Sequence, residues 1–501
     1  MPPRKKTAPL RLLLASSELH PYSKTGGLAD MVAALGKHLG RAGHQVGIVT
    51  PLYRGIAERY PDLRKLDYEL ELPLGDTMVF AEVWTRQPSE GVTVYFISQP
   101  EFYQRTELYI EKGISYPDNA ARFIFFTKCV VHLSRYLDWQ PEIVHVHDWQ
   151  AALAPLMILD QHRREGWGRV PRTVLTIHNL AYQGDFPRSD YPLANLPWEY
   201  FNLHAVEFYG KIDCLKAGIV FADLVTTVSP RYAREIVTPE FGCGLDAALR
   251  TRGDSLLGVL NGVDYDEWNT ENNPYIKHPY SARDLAGKLA TKLELQSEFN
   301  LPVNAQIPLF ASITRLADQK GIDIALGALE EMLHRNIQFV LLGSGSPEFE
   351  RAFLGLAERF PEKVGIRLGF DAAMSHRIEA GADFFLMPSY FEPCGLNQMY
   401  SQRYGTIPIV RVTGGLDDSV RDFTEVESGA DYRDVVGIKF RNYTSRALAK
   451  AMQKALAVFE KPELLQHLRV NAMRADYSWE KTAGRYVSAY HELIRRDINV
   501  N

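Results

Sequence analysis

The chain has 501 residues, a length that at about 150 residues per domain argues for two or three domains. Lysine plus arginine total 56 against 61 aspartate plus glutamate, and the resulting net charge of −5 excludes a protein whose main task is to coat nucleic acid. Hydrophobic residues at 46% and charged residues at 23% exclude disorder on a large scale, and no apolar run approaches the roughly 18 residues of a membrane span. The four cysteines, Cys129, Cys214, Cys243 and Cys394, form no C-x-x-C pair. They point to a reducing compartment, the cytoplasm, and away from a zinc site or a disulfide framework.

The basic start of the chain, Met1 to about Pro9, has no apolar core of signal-peptide type behind it and is expected to be a disordered leader. Short apolar runs then alternate with longer amphipathic stretches. Residues 11–16, 45–50, 143–147, 173–178 and 224–229 are rich in Val, Ile and Leu without polar alternation, the pattern of parallel strands buried on both faces. Helical periodicity covers 29–42 and 119–137. Residues 80–99 break the pattern: two strands flank Pro88-Ser89-Glu90-Gly91, a hairpin that adds antiparallel strands.

The second half repeats the alternation, with strands expected at 309–313, 338–342, 365–368, 384–387 and 407–412 and helices at 321–335 and 377–381. The changeover falls within 261–300, where 264–279 is polar and without period. Trp479, Tyr486, Tyr490 and Leu493 recur at helical spacing in a final helix over 478–496. The fold class is therefore α/β, with two doubly wound domains facing each other across a cleft, spanning 10–265 and 266–477, and a tail helix.

Open parallel sheets bind ligands at the carboxyl ends of their strands, so the residues after each strand are the candidates. After the first strand come Lys24-Thr25-Gly26-Gly27-Leu28 and Asp30, a glycine turn entering a helix, suited to an anion. His145-Val146-His147-Asp148-Trp149 ends the third core strand. Its two histidines share one strand face, but without a further ligand cluster they do not make a metal site, and Asp148 and Trp149 are the cleft candidates. His178 ends the next strand. In the second half, Arg315 and Lys320 lie in one loop, a guanidinium and an ammonium suited to a diphosphate. The run 342–346 is glycine-rich but lacks a full G-x-G-x-x-G. Glu392 sits between an apolar strand and a turn, where a carboxylate is costly unless it binds something. The amides of Gly395 to Asn397 open a helix, and Thr413-Gly414-Gly415 repeats the Gly-Gly device. Asp264-Tyr265-Asp266 has the Asp-x-Asp spacing of a metal site, but it lies in the inter-domain stretch and is assigned no metal.

In this order, Lys24-Thr25-Gly26-Gly27-Leu28, His178-Asn179-Leu180-Ala181-Tyr182-Gln183-Gly184 and Phe391-Glu392-Pro393-Cys394-Gly395-Leu396 resemble the bacterial glycogen synthase and plant starch synthase family of retaining glycosyltransferases. The resemblance covers nearly the whole chain. It implies the GT-B architecture of two Rossmann-like domains, with the tail helix returning to the first. It also implies glucose transfer from ADP-glucose to the non-reducing end of an α-1,4-glucan with retention, and neither metal nor cofactor.

By the same resemblance, Lys24, Gly26 and Gly27 lie by the donor diphosphate, with Asp30 supporting their loop. Arg315 and Lys320 neutralise the leaving phosphate, and Thr413, Gly414 and Gly415 add backbone donors. His178 and Asn261 contact the glucosyl group, and Glu392 helps stabilise an oxocarbenium-like transition state. Cys394, Gly395 and Leu396 belong to the donor site, Phe370 stacks on the adenine, and Asp148 and Trp149 meet the acceptor. Tyr390 and Gln150 depart from the family pattern, in which many relatives carry arginine and histidine. Other readings stay open: a GT-B transferase using UDP-glucose or a small acceptor, or a catalytically silent glucan-binding protein. Oligomeric state is not legible.

Overall fold

The computed structural model describes residues 8–426 and 432–495. Met1–Thr7 of the expected leader and Arg496 of the expected tail helix lie outside the described residues. The chain divides into two compact units. One holds the chain up to Val228, Ala233–Val259 and the segment from Trp479; the other holds Ser229–Tyr232 and Leu260–Ser478.

The first unit is built on a nine-stranded sheet. Its strands are β1 (Arg11–Ala15), β2 (Gln45–Pro51), β3 (Arg64–Leu74), β4 (Thr77–Ser89), β5 (Val92–Ser98), β6 (Ile143–His147), β7 (Arg172–Ile177), β8 (Leu224–Thr227) and β9 (Leu256–Gly258). The spatial order is β9-β8-β7-β6-β1-β2-β5-β4-β3. The core strands are parallel, with Leu12 opposite both Val46 and Ile143. Only β3–β4 and β4–β5 are antiparallel, the latter being the expected hairpin. β1 is the hinge of the topology. Its neighbours β2 and β6 lead the chain away in opposite directions, so a crevice opens where the loops after β1 and β6 diverge.

Helices α1 (Gly27–Arg41) and α2 (Asn119–Tyr136) cover this sheet, and a last helix at 479–495 belongs to the same unit. That last helix buries Trp479, Thr482, Ala483, Tyr486, Tyr490 and Leu493, one stripe at helical spacing, and packs against α1. Burying each large apolar side chain of the stripe contributes about 1.5–3 kcal/mol.

The second unit has six parallel strands: β10 (Leu309–Leu316), β11 (Gln338–Gly345), β12 (Val364–Leu368), β13 (Phe384–Met387), β14 (Ile407–Arg411) and β15 (Ile438–Phe440). Their order, β12-β11-β10-β13-β14-β15, is that of a Rossmann sheet, reversing between β10 and β13. Side chains alternate between two buried faces: Phe310, Phe339, Leu341, Phe384 and Leu386 enter one core, and Leu309, Ala311, Val340, Leu342 and Phe385 the other. The glycines of 342–346 answer to packing. A Cβ on Gly343 would lie 2.0 Å from the Thr314 carbonyl oxygen, and one on Gly345 2.3 Å from that of Leu316.

Strands β3, β9 and β15 were not expected from the sequence, nor was a helix in the stretch where the domains change over. β3 is an edge strand whose Arg, Lys, Asp and Glu side chains mask its period. The changeover stretch 261–300 contains a regular helix, α3 (Ala286–Glu298). Its buried positions include Lys288, Thr291, Lys292 and Gln296, so its inner face is mostly polar and gives no apolar stripe. The units change over between Val259 and Leu260, which places Asn261 in the second unit.

Candidate active site

In the first unit, the site residues gather where β1 and β6 part. The loop after β1 is organised by Glu18, which is buried. Its carboxylate accepts from the Thr25 amide at 2.6 Å, the Thr25 hydroxyl at 2.6 Å, the Gly26 amide at 3.3 Å and the Tyr109 hydroxyl at 2.9 Å. The amides of Thr25 and Gly26 are thus held by a carboxylate of the chain itself. Lys24 is exposed and its Nζ meets Asp30 at 2.8 Å. Gly26 has an extended backbone, and a Cβ there would meet nothing within 4 Å. No packing constraint of the chain demands glycine at that position. Gly27 opens α1 beside it.

Past β6, Asp148 adopts a left-handed φ of 54°, a conformation uncommon outside glycine. It turns Oδ1 onto the His178 amide at 2.7 Å and also accepts from the Asn179 amide. Burial pushes its carboxyl up to about 7 in spite of these bonds. His178, at the end of β7, lies with Nε2 3.1 Å from His147 Nδ1, and burial holds its imidazole down to about 3, so it is neutral. Trp149 packs edge-on against Phe123 and Phe186. Gly184 makes room for it: the left-handed turn there would put a Cβ 2.4 Å from the indole. Gln150 is buried with its Oε1 unpartnered among the described residues.

In the second unit, the site residues lie where β10 and β13 part, the reversal point of the sheet. Glu392 is buried, and its Oε2 accepts from Lys320 Nζ at 2.6 Å and from Ser389 Oγ at 3.0 Å. The lysine is what makes this buried carboxylate tolerable. Two further bonds bind their loops together, Tyr390 N to Gln319 O and Gln319 Nε2 to Phe391 O. Gly321, in a left-handed conformation, lets the Pro388 carbonyl come within 2.1 Å of where a Cβ would stand.

Arg315 is exposed at the end of β10, and its guanidinium has no partner among the described residues. It lines a cavity of about 410 Å³ with Ala317, Asp318, Ser344, Ser346 and Phe349. The volume lies within the range of small-molecule pockets. Phe370 follows β12 and is 82% exposed, with no ring packed on it among the described residues.

The Glu392 loop rests on the second Gly-Gly turn. A Cβ on Gly414 would lie 1.9 Å from the Glu392 carbonyl oxygen, and one on Gly415 2.1 Å from that of Cys394. The Gly415 amide donates to the carbonyls of Glu392 and Pro393, so it is not the free backbone donor expected at this position. The turn is a seat for the Glu392 loop, and Thr413 stands just before its short helix. The amides of Gly395 and Leu396 donate to no described residue and stay open. Cys394 is buried, its thiol pushed up to about 12 by burial, and it lies by the Asn261 backbone; it stays a thiol. Asn261 is buried with Oδ1 unpartnered among the described residues, an acceptor held in reserve. Tyr390 packs against Tyr443, with the Arg411 guanidinium over both rings.

Sequence reasoning did not single out Glu18 or Ser389. Both act through hydrogen bonds to residues brought near by the fold, and the only local signal was their position just after a strand.

Two Rossmann-like units, each with polar side chains collected at the reversal point of its sheet, define a glycosyltransferase of the GT-B class. The family described as starch synthase catalytic domain matches residues 11–251, and that described as glycosyl transferases group 1 matches residues 276–473. Glycogen synthase of Anaeromyxobacter dehalogenans (strain 2CP-C) is 44% identical over 97% of this chain and 100% of its own. Glycogen synthase of Thioalkalivibrio sulfidiphilus is 43% identical over 97% and 100%. The catalytic domain of starch synthase IV from Arabidopsis thaliana, solved bound to ADP and acarbose, superimposes with a TM-score of 0.88 at 34% identity, covering 97% of this chain and 100% of its own. A sucrose-phosphate synthase from Thermosynechococcus elongatus, at 17% identity and a TM-score of 0.59, shares the fold. The chain belongs to the glycogen and starch synthase family.

Proposed function

We propose that the protein extends an α-1,4-glucan by moving glucose from ADP-glucose to its non-reducing end, with retention at the anomeric carbon. The observation that carries this reading is the Lys320–Glu392 pair at the reversal point of the second sheet, with Arg315, whose guanidinium has no partner among the described residues, at the end of β10 in the same unit. In the proposed reaction, Arg315 and Lys320 stabilise the negative charge that gathers on the departing diphosphate. Glu392, freed in part as Lys320 turns to phosphate, faces the positive charge growing on the sugar ring. The departing phosphate oxygen takes the proton of the acceptor hydroxyl as the new C–O bond forms on the same face. Glu392 is not assigned as a nucleophile: the same-face course needs no covalent glucosyl-enzyme, and its Oε2 is held by Lys320 and Ser389.

On the side of the first unit, His178 and the Lys24 loop are assigned to the donor, and Asp148 and Trp149 to the acceptor. The unpartnered Oδ1 of Asn261 fits a sugar hydroxyl, and the open amides of Gly395 and Leu396 fit the donor phosphate. Phe370 is assigned to the adenine; its exposure suits a stacking platform that is filled only when the nucleotide arrives. With two cationic side chains at the phosphates, the proposed reaction calls on neither metal nor cofactor. Free cysteines, three of them buried, are in keeping with the cytoplasm.

The test is product analysis after incubation with ADP-glucose and a short malto-oligosaccharide. Stepwise lengthening by single α-linked glucose units is expected. A β-linked product, or transfer only to a monosaccharide, would sink the assignment.

A further inference from the structure

The two histidines of β6 lie side by side, ring centroids 4.2 Å apart, and both are fully buried. They differ in how their nitrogens are satisfied. His145 has both engaged: Nδ1 lies 2.7 Å from the Tyr490 hydroxyl and Nε2 2.6 Å from the Thr176 hydroxyl. His147 has one engaged. Its Nδ1 lies 3.1 Å from His178 Nε2, while its Nε2 is buried with no partner among the described residues.

Burial keeps the imidazoles of His147 and His178 neutral. A single proton therefore lies in the bond between them, and it belongs to one ring or the other. If His178 donated it, His147 would carry its own proton on Nε2, leaving a buried N–H without an acceptor. If His147 donates from Nδ1, the leftover Nε2 is only a lone pair. Orphaned buried N–H groups are the rarer and costlier defect. The second arrangement leaves the His178 proton on Nδ1, a nitrogen that bonds no described residue.

We propose that His147 is a positioning residue that fixes His178 as its Nδ1–H tautomer, so that His178 presents a hydrogen-bond donor to a hydroxyl of the transferred sugar. The proposal rests on the reading that His178 touches the donor glucose. The division of labour is local: Asp148 holds the His178 main chain by its amide, and the residue before it holds the ring. Fixing a histidine tautomer through the nitrogen that does not meet substrate is a general device, with large effects on rate when it fails.

The test uses the full chain with 15N-labelled histidine. Long-range proton–nitrogen spectra at neutral pH distinguish the tautomers, with His178 assigned by the signal lost in His178→Gln. An Nδ1–H pattern for His178 is expected; an Nε2–H pattern overturns the proposal. In parallel, His147→Asn, whose side-chain amide keeps a donor near the Nδ1 position, is expected to retain most of the turnover. His147→Val is expected to lose about 10- to 100-fold in kcat with little change in donor KM. Unchanged kcat in His147→Val overturns the proposal, and if both variants fall alike the spectrum of the unmodified chain decides. Full activity in His178→Ala would instead defeat the reading of His178 as a sugar contact, leaving the tautomer result to stand by itself.

Discussion

Lys320 and Glu392 show how one pair can serve both folding and chemistry. Their side chains are 19% and 7% exposed and meet at 2.6 Å. Removing the lysine strands a buried carboxylate, so Lys320→Ala is expected to lower unfolding stability by about 3–5 kcal/mol in urea titrations. Adding Glu392→Gln should restore most of that stability without restoring turnover. If the double variant stays as unstable as the single one, the pair is not what burial demands there. The glycines make a second contrast. Gly415→Ala drives a Cβ to 2.1 Å from the Cys394 carbonyl oxygen, and its melting temperature is expected to fall. Gly26→Ala meets nothing within 4 Å among the described residues. Its melting temperature should stay unchanged while its donor KM rises, because only a ligand would contact the added methyl. An unchanged KM would remove Gly26 from the donor site.

At the scale of elements, β6 carries two histidines whose folded forms are neutral by burial, His145 held down to about 3 and His147 well below its ordinary value. The unfolded chain protonates them near pH 6.5. As pH falls below that value, the unfolded state binds more protons than the folded one, so stability is lost on acidification. Each histidine contributes a slope of up to about 1.4 kcal/mol per pH unit below pH 6.5 until its folded pKa is reached. Stability measured by urea unfolding from pH 6.5 to pH 4 should show this slope, and His145→Gln should reduce it by one proton's worth. An identical slope in the variant would contradict the assignment.

Most of the parallel strands, β6 among them, were legible in the sequence because burial on both faces writes an apolar run; β9 and β15, three residues each, were too short to show one. β3 was not legible, because an edge strand with charged side chains has no such signature. Helix α3 escaped for a related reason: Lys288 and Lys292 lie on its buried side, satisfied by partners far along the chain, the Ala380 carbonyl and Asp383 among them. Site residues at strand ends could be named from the sequence, since topology puts ligands there. What they do with their hydrogen bonds could not. That Glu18 holds the amides of Thr25 and Gly26 is revealed only by the fold.

Across the whole molecule, a net charge of −5 gives no hint of an anionic ligand. The charge that matters is local. Arg315 and Lys320 stand at the reversal point of one Rossmann-like sheet, and Lys24 follows the first strand of the other. The same topology occurs twice along the chain, and each copy collects its polar residues at the equivalent place. Membership of the glycogen and starch synthase family gives this arrangement its chemistry, and the account's central claim is the transfer of glucose from ADP-glucose to a growing glucan. The most direct measurement follows labelled glucose from ADP-glucose and, separately, from UDP-glucose into glycogen by the purified protein. Incorporation from ADP-glucose well above that from UDP-glucose is the predicted result; preference for UDP-glucose, or no incorporation from either, would contradict the account.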